Sequence, residues 1–286
     1  MTGRALPARI AAVVSDVDGT LVRTDKALTP RTVETVAKLR GAGIPFAIVS
    51  SRPPRGLTML IERLEITTFV AGFNGGVIAR PDLSIVASHL IAPEVARHAI
   101  PAIEAAGAHA WVFSGRDWLI RDPNGPRVGL EERAVGFGPT IVDDFTPVAD
   151  TAAKIVAVSD DHAVLTRLQN ELRGTLGGGA AIVRSQAYYL DITHPRANKG
   201  DALLELARLM NVAPSQVAVI GDGENDIALF AQAGLSIAMS NAAAGVAQAA
   251  DFTTGANDLD GAAAAIEWFV LRGKRAAIPD AGRDVV

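Results

Sequence analysis

Asp16-Val17-Asp18-Gly19-Thr20, Ser50-Ser51-Arg52, Asn198-Lys199-Gly200 and Gly221-Asp222-Gly223-Glu224-Asn225-Asp226 contain the groups that phosphoryl transfer requires: paired carboxylates, a hydroxyl, an ammonium and glycine-rich backbone. Taken singly, each segment has an ordinary reading. Asp-x-Asp-Gly after a strand is often only a turn. It also fails as a calcium loop, because Thr20 and Leu21 stand where that loop needs an acidic or amide ligand and a glycine. Ser50, just ahead of Pro53 and Pro54, suits a helix N-cap, and Asp222 and Asp226, four apart, suit a helix entry. Lys199 at a helix start opposes the helix dipole, so it calls for another reason to be there.

Together these segments point one way. Four carboxylates, Asp16, Asp18, Asp222 and Asp226, gathered at one sheet edge repel one another unless a cation sits among them. Hard oxygen ligands in an incomplete protein shell favour Mg²⁺, which keeps waters and accepts substrate phosphate oxygens. Lys199, a hydroxyl and close main-chain approach are what a phosphoryl group needs beside that cation. With no cysteine in the chain, thiolate nucleophiles, cysteine zinc sites and disulfides are excluded. One acid can attack while a second manages protons, which gives phosphoryl transfer through an aspartyl intermediate.

Such a site has to be placed by a fold. The 286 residues suffice for one large or two smaller cores, and a composition 49% hydrophobic but only 5% aromatic suits buried parallel strands wrapped by Ala-rich helices. Ile10 to Ser15, Pro45 to Val49, Phe69 to Ala71, Val77 to Ala79, Val217 to Ile220 and Leu235 to Ala238 read as strands. Helical stretches alternate with them, the first opened by Thr29-Pro30 and others spanning 57–64, 200–210, 224–233, 242–249 and about 259–272. This is an α/β fold with a doubly wound, Rossmann-like parallel-sheet core, in which ligands bind beyond the carboxyl ends of the strands. Between about Pro81 and Tyr189 the rhythm changes to paired strands with two helices, 93–106 and 161–172, an α+β module inserted into a discontinuous core. The expected division is 1–81 with 190–286 for the core and 82–189 for the insertion, with 279–286 a frayed tail. A net charge of -4 offers no field for nucleic acid or an anionic membrane surface. The short apolar run Ile10 to Val14 suits neither a signal segment nor a span, so a cytoplasmic protein is expected.

The four segments, in this order, resemble the four motifs of the haloacid dehalogenase superfamily. Asp191-Ile192-Thr193 to Asn198-Lys199-Gly200 and Ile237-Ala238-Met239-Ser240-Asn241-Ala242 further resemble its Cof-type branch, which carries a large α+β cap (subfamily IIB). The resemblance implies a Mg²⁺-dependent phosphatase of small phosphorylated metabolites such as sugar phosphates, a monomer or homodimer, with no nucleic-acid or membrane partner. It implies that Asp16 is the nucleophile and Asp18 the general acid/base, which also lends its backbone carbonyl to the metal; a raised Asp18 pKa is expected from its acidic neighbour. Ser50 would bond the phosphoryl oxygens, Lys199 would offset their charge, and Asp222 would ligate Mg²⁺ with Asp226 and Asn225 completing the shell. Gly19 and Thr20 would supply backbone donors, and Asn241 would reach the phosphate. Ser51, Arg52, Arg55 and Asn74 lie on loops near the substrate, although both arginines also read as solvated surface charges. Within the insertion, His109, Trp111, Arg116, Trp118 and Arg184 are candidates for specificity, with His194 and Arg196 at its return.

Ser50-Ser51-Arg52 departs from the Thr-Gly-Arg usual in Cof-type proteins, and Ser-Ser is similar to the related mannosyl-3-phosphoglycerate phosphatases. A phosphotransferase or mutase using the same chemistry, and a receiver-like phospho-aspartate signalling module, are the alternatives.

Overall fold

The structure, a computed structural model, describes residues 6–276 and residue 278; the expected tail at 279–286 lies outside the described residues. The chain begins with β1 (Ala12–Ser15), α1 (Pro30–Gly41), β2 (Phe46–Val49), α2 (Thr58–Arg63), β3 (Val70–Gly72), β4 (Val77–Ala79) and β5 (Ile85–Ser88). A second run follows: α3 (Pro93–Ala105), β6 (His109–Ser114), β7 (Asp117–Ile120), α4 (Val128–Val135), β8 (Thr140–Ile141), β9 (Ala152–Val158), α5 (His162–Leu176), β10 (Ala181–Gln186) and β11 (Tyr189–Thr193). The last run is α6 (Lys199–Leu209), β12 (Val217–Gly221), α7 (Asp226–Gln232), β13 (Leu235–Ala238), α8 (Ala244–Ala249), β14 (Phe252–Thr253) and α9 (Gly261–Ala265), which continues as a wider π-helical turn over Ile266–Leu271. Among the described residues, no helix is long and apolar enough to cross a membrane.

Eight strands form one sheet in the order β14-β13-β12-β1-β2-β3-β4-β5. It is parallel from β14 through β3, and β4 and β5 extend its edge in antiparallel register. Its central strands are buried on both faces. Val13, Ile48 and Ile220 pack towards α1, α2 and α9, while Val14, Val49 and Val219 pack towards α6 and α7. This explains why these strands read as continuous apolar runs. Thr29 caps α1, its hydroxyl accepting from the Thr32 N–H ahead of Pro30 at the first helical position, and Asn198 caps α6 by accepting from the Asp201 N–H.

The other sheet has six strands, β10-β11-β9-β6-β7-β8, antiparallel except for the short β7–β8 pair. Ile155, Leu190 and Ile192 on one face pack against α3 and α5. The opposite face carries Trp111, Phe113, Trp118 and Tyr189, and Phe73 from the turn after β3 and Val77 of β4 join that aromatic cluster. The chain passes between the sheets after Ser88 and again after Thr193, both later than the expected boundaries at 81/82 and 189/190. The rings of His89 and His194, each just past a crossing, stack 5.3 Å apart at 19°. Helix α4 was not expected, because it is short and lies in a glycine- and proline-containing stretch; Arg127 before it and Gly136 after it both adopt left-handed backbone.

Leu206 of α6 is fully buried in the cluster behind Lys199. Leu206→Ala is expected to cost about 2–5 kcal/mol of stability in urea unfolding, the range for a leucine deleted from a packed core; a loss below about 1 kcal/mol would contradict this packing.

Candidate active site

β12, β1 and β2 are neighbours, and the chain leaves their carboxyl ends at Asp222, Asp16 and Ser50. Lys199 and Asp226 open the helices α6 and α7 beside them. Lys199 is buried, yet its Nζ donates to Asp16 Oδ1 and to Asp226 Oδ1, both at 2.7 Å. Burial works to lower its pKa; Asp16 and Asp226 outweigh that and hold the ammonium above its ordinary pKa. Asp226 is also tied down by its other oxygen, which accepts from the N–H groups of Asp222 (3.0 Å) and Gly223 (2.9 Å). Gly221 permits this closeness, since a Cβ there would lie 2.4 Å from Asp226 Cγ.

Asp16, Asp222 and Asp226 each present a carboxylate oxygen, all within 4.8 Å of one another. Burial pushes Asp16 well above the usual carboxylate range, Lys199 pulls against it, and Asp226 and Asp222 add to the rise. Asp222 is raised by burial too, against the hydroxyl of Thr20, which donates to its Oδ1 at 2.7 Å. Three acids share one ammonium, so the donor set is all oxygen and short of positive charge. Such a set fits a hard divalent cation.

Asp18 departs from expectation. Its side chain does not join the three converging acids. Arg52 grips it with two bonds, Nε to Oδ2 at 2.7 Å and the terminal nitrogen to Oδ1 at 2.6 Å, and Lys26 Nζ adds a third at 2.8 Å. Burial works to raise its pKa, but Arg52 and then Lys26 overcome it, so Asp18 is lowered where the sequence suggested a rise. Sequence reasoning missed Lys26, which sits with left-handed backbone in the turn where Lys26 N–H donates to the Arg23 carbonyl. Its position in a tight turn just after the first acidic pair was the available signal.

Several residues expected at the phosphate also hold the site together. Thr20 N–H donates to the Val17 carbonyl at 3.3 Å while its hydroxyl clamps Asp222. Gly19 has φ +78°, and a Cβ there would fall 2.2 Å from Asp222 Oδ2, so the glycine lets Asp222 approach. Asn241 Nδ2 donates to the Gly19 carbonyl at 2.9 Å and its Oδ1 accepts from the Asn257 N–H at 3.0 Å, which makes it a strut. Asn225 Nδ2 donates to Asn74 Oδ1 at 3.0 Å, tying the turn before α7 to the turn after β3. Asn74 and Phe73 both carry left-handed backbone there, costly for phenylalanine. Ser50 is buried at the end of β2, its Oγ accepting from the Arg52 N–H at 3.1 Å, whereas Ser51 is exposed. Arg55 lies over the Phe137 ring, 4.4 Å from its centroid.

The other candidates fill structural positions. Trp111 and Trp118 are buried in the aromatic cluster, with rings 5.0 Å apart. Arg116 donates to the Asp82 carbonyl at 2.7 Å, Arg184 bonds carbonyls that include that of Ala187, and Arg196 pairs with Asp201 at 3.2 Å.

Residues 13–266 match the family model of haloacid dehalogenase-like hydrolases. The chain belongs to that family. A putative phosphatase of Haemophilus influenzae is 28% identical over 264 residues, covering 90% of this chain and 97% of that protein. The HMP-PP phosphatase of Cronobacter sakazakii is 28% identical over 227 residues, covering 79% and 83%. The crystal structure of a haloacid dehalogenase-like hydrolase from Bacteroides thetaiotaomicron aligns with a TM-score of 0.84 at 28% identity, covering 91% of this chain and 99% of that one. This haloacid dehalogenase-like hydrolase is a phosphatase, and the motif order read from the sequence agrees with the family placement.

The raised pKa of Asp222 sets a sign for stability. A carboxyl raised in the fold contributes stability below its unfolded value, about 3.8, and loses it as pH climbs through the folded value. In EDTA, Asp222→Asn is therefore expected to melt higher than the parent at pH 7, with the difference vanishing near pH 4. A variant that melts lower than the parent at pH 7 would show that Asp222 is not strained.

Proposed function

We propose that this phosphatase hydrolyses phosphomonoesters of small metabolites, sugar phosphates or similar compounds, through an aspartyl-phosphate on Asp16 with Mg²⁺ as cofactor. The observation that carries the reading is the buried Asp16–Lys199–Asp226 contact beside Asp222, with the separately charged Asp18 two residues from the nucleophile. Asp16, Asp222 and Asp226 are the side chains that would hold Mg²⁺, with the Asp18 carbonyl as the further ligand implied by the family. When bound, the ion neutralises phosphate charge and sharpens the electrophilicity of phosphorus.

In the first step Asp16 attacks through the oxygen that Lys199 does not hold. An Asp16 O–P bond forms, the ester P–O bond breaks, and the leaving oxygen takes a proton from Asp18. In the second step water adds to phosphorus, the Asp16 O–P bond breaks, and Asp18 recovers a proton from the water. The clamp on Asp18 has a role in this scheme. A phosphate arriving beside it competes for Arg52 and Lys26, and the proton affinity of Asp18 rises as those cations turn to the phosphate. Ser50 donates its hydroxyl to a phosphoryl oxygen, and Lys199 offsets charge on the nucleophile. The six-strand sheet with its helices serves as the cap that covers the leaving group. The reading keeps a cytoplasmic enzyme, monomer or homodimer, with no nucleic-acid or membrane partner.

Asp16→Asn is expected to reduce phosphate release from p-nitrophenyl phosphate by at least about 10³-fold with an unchanged circular dichroism spectrum, as loss of a covalent nucleophile should. Parent-level turnover by that variant would remove Asp16 from the mechanism. EDTA should silence the enzyme and added Mg²⁺ should restore it; full activity after complete metal removal would overturn the cofactor assignment.

A further inference from the structure

The face of the second sheet that meets the first is aromatic, and two charges stand within it. Trp111, Val156 and Asp191 form one rank across β6, β9 and β11. Lys154, two residues along β9, reaches Asp191 Oδ2 at 2.6 Å, and both side chains are nearly buried, 14% and 12% exposed. Asp191 Oδ1 is buried with no hydrogen-bond partner among the described residues. A carboxylate oxygen sealed from water without a donor is costly, and a ligand donor would relieve that cost.

Helix α4 brings a third charge to the same place. Tyr189 Oη donates to Glu131 Oε2 at 3.3 Å, and burial raises the Glu131 carboxyl, with Lys154, Asp191 and Arg52 all close enough to act on it. Arg52 is the link, since it also grips Asp18. The leaving oxygen must lie within reach of the acid that protonates it. A leaving group that runs from Asp18 past Arg52 would meet Glu131, on which Arg52 acts, and through it the Lys154–Asp191 pair.

We propose that Glu131, Lys154 and Asp191 form the leaving-group subsite and select neutral, hydroxyl-rich phosphomonoesters over esters bearing a second negative charge. The inference rests on the phosphatase reading and adds the residues that choose among its substrates and the charge they reject. Asp191 Oδ1 and Glu131 accept hydroxyl protons, and Lys154 donates to a hydroxyl oxygen. Lys154 is already matched by Asp191, and Arg52 is committed to Asp18 or to the phosphate being transferred, so neither cation is spare for a carboxylate or a second phosphate, and two carboxylates repel one.

The test compares kcat/KM for a hexose 6-phosphate, ribitol 5-phosphate, phosphoglycolate and p-nitrophenyl phosphate in the full chain with Mg²⁺. The parent is expected to favour the two polyol esters over phosphoglycolate by about tenfold or more. Asp191→Asn and the isosteric Glu131→Gln should each lower the polyol to p-nitrophenyl phosphate ratio by about tenfold, mainly through KM, as loss of a hydrogen bond to a charged group does. A purely structural ion pair would lower the melting temperature and leave that ratio within about twofold, which overturns the inference even if Asp191→Asn folds poorly, because Glu131→Gln reads the same ratio. Equal use of phosphoglycolate and the polyol esters by the parent also overturns it while the phosphatase reading stands. Failure to release phosphate even from p-nitrophenyl phosphate removes that reading and the inference together.

Discussion

The ammonium of Lys199 is the contact on which the rest of the site depends. It is sealed from water at the start of a helix, where the dipole disfavours a cation, and two carboxylates hold it. Other features follow from keeping those groups together. Gly200 lets α6 approach α7, since a Cβ there would lie 2.9 Å from the Ala228 carbonyl oxygen, and that approach brings Asp226 within reach of Lys199. Gly221 leaves room for the Asp226 side chain, and Asp226 in turn organises the turn that presents Asp222. Removing the lysine would leave three acids facing one another with no counter-charge, a far larger penalty than losing a surface pair.

Asp16 and Asp18 are two residues apart, yet their surroundings push them in opposite directions. Asp16 looks into the buried acid cluster, and Asp18 looks out to Arg52 and Lys26. Divergent environments on paired carboxylates are how one site assigns separate tasks to the same functional group. The division is built by topology: Asp16 leaves the central strand between β12 and β2, while Asp18 has turned towards the loop after β2 that carries Arg52.

The sequence made the parallel core and the acidic cluster legible because both are local signals with a fixed geometric consequence. Apolar runs that stop at Asp16, Ser50 and Gly221 put those residues on one sheet edge whatever the loops do. The partners of Asp18 were not legible. A raised pKa was the natural expectation from an acid two residues away, and the outcome depended on Arg52 and Lys26 arriving from other loops. The resemblance places Asn241 and the Thr20 backbone at the phosphate; what it does not convey is that both side chains also brace the acid cluster, through Asp222, the Gly19 carbonyl and the Asn257 N–H. On the second sheet, tryptophans and arginines drew attention by type, although burial and carbonyl contacts occupy them. Lys154 inside Ala152–Val158 was the better signal, as a lone charge in an apolar strand has to be answered by a partner across the sheet.

His89 and His194 have a mechanical consequence. The polypeptide leaves the large sheet and returns to it through two segments whose rings lie face to face, so the tethers are bound side by side rather than spread apart. Two tethers pinned at one place set a pivot and no more, so the orientation of the upper layer over the large sheet is left to the aromatic packing of Phe73 and Val77 against Trp111, Phe113 and Trp118.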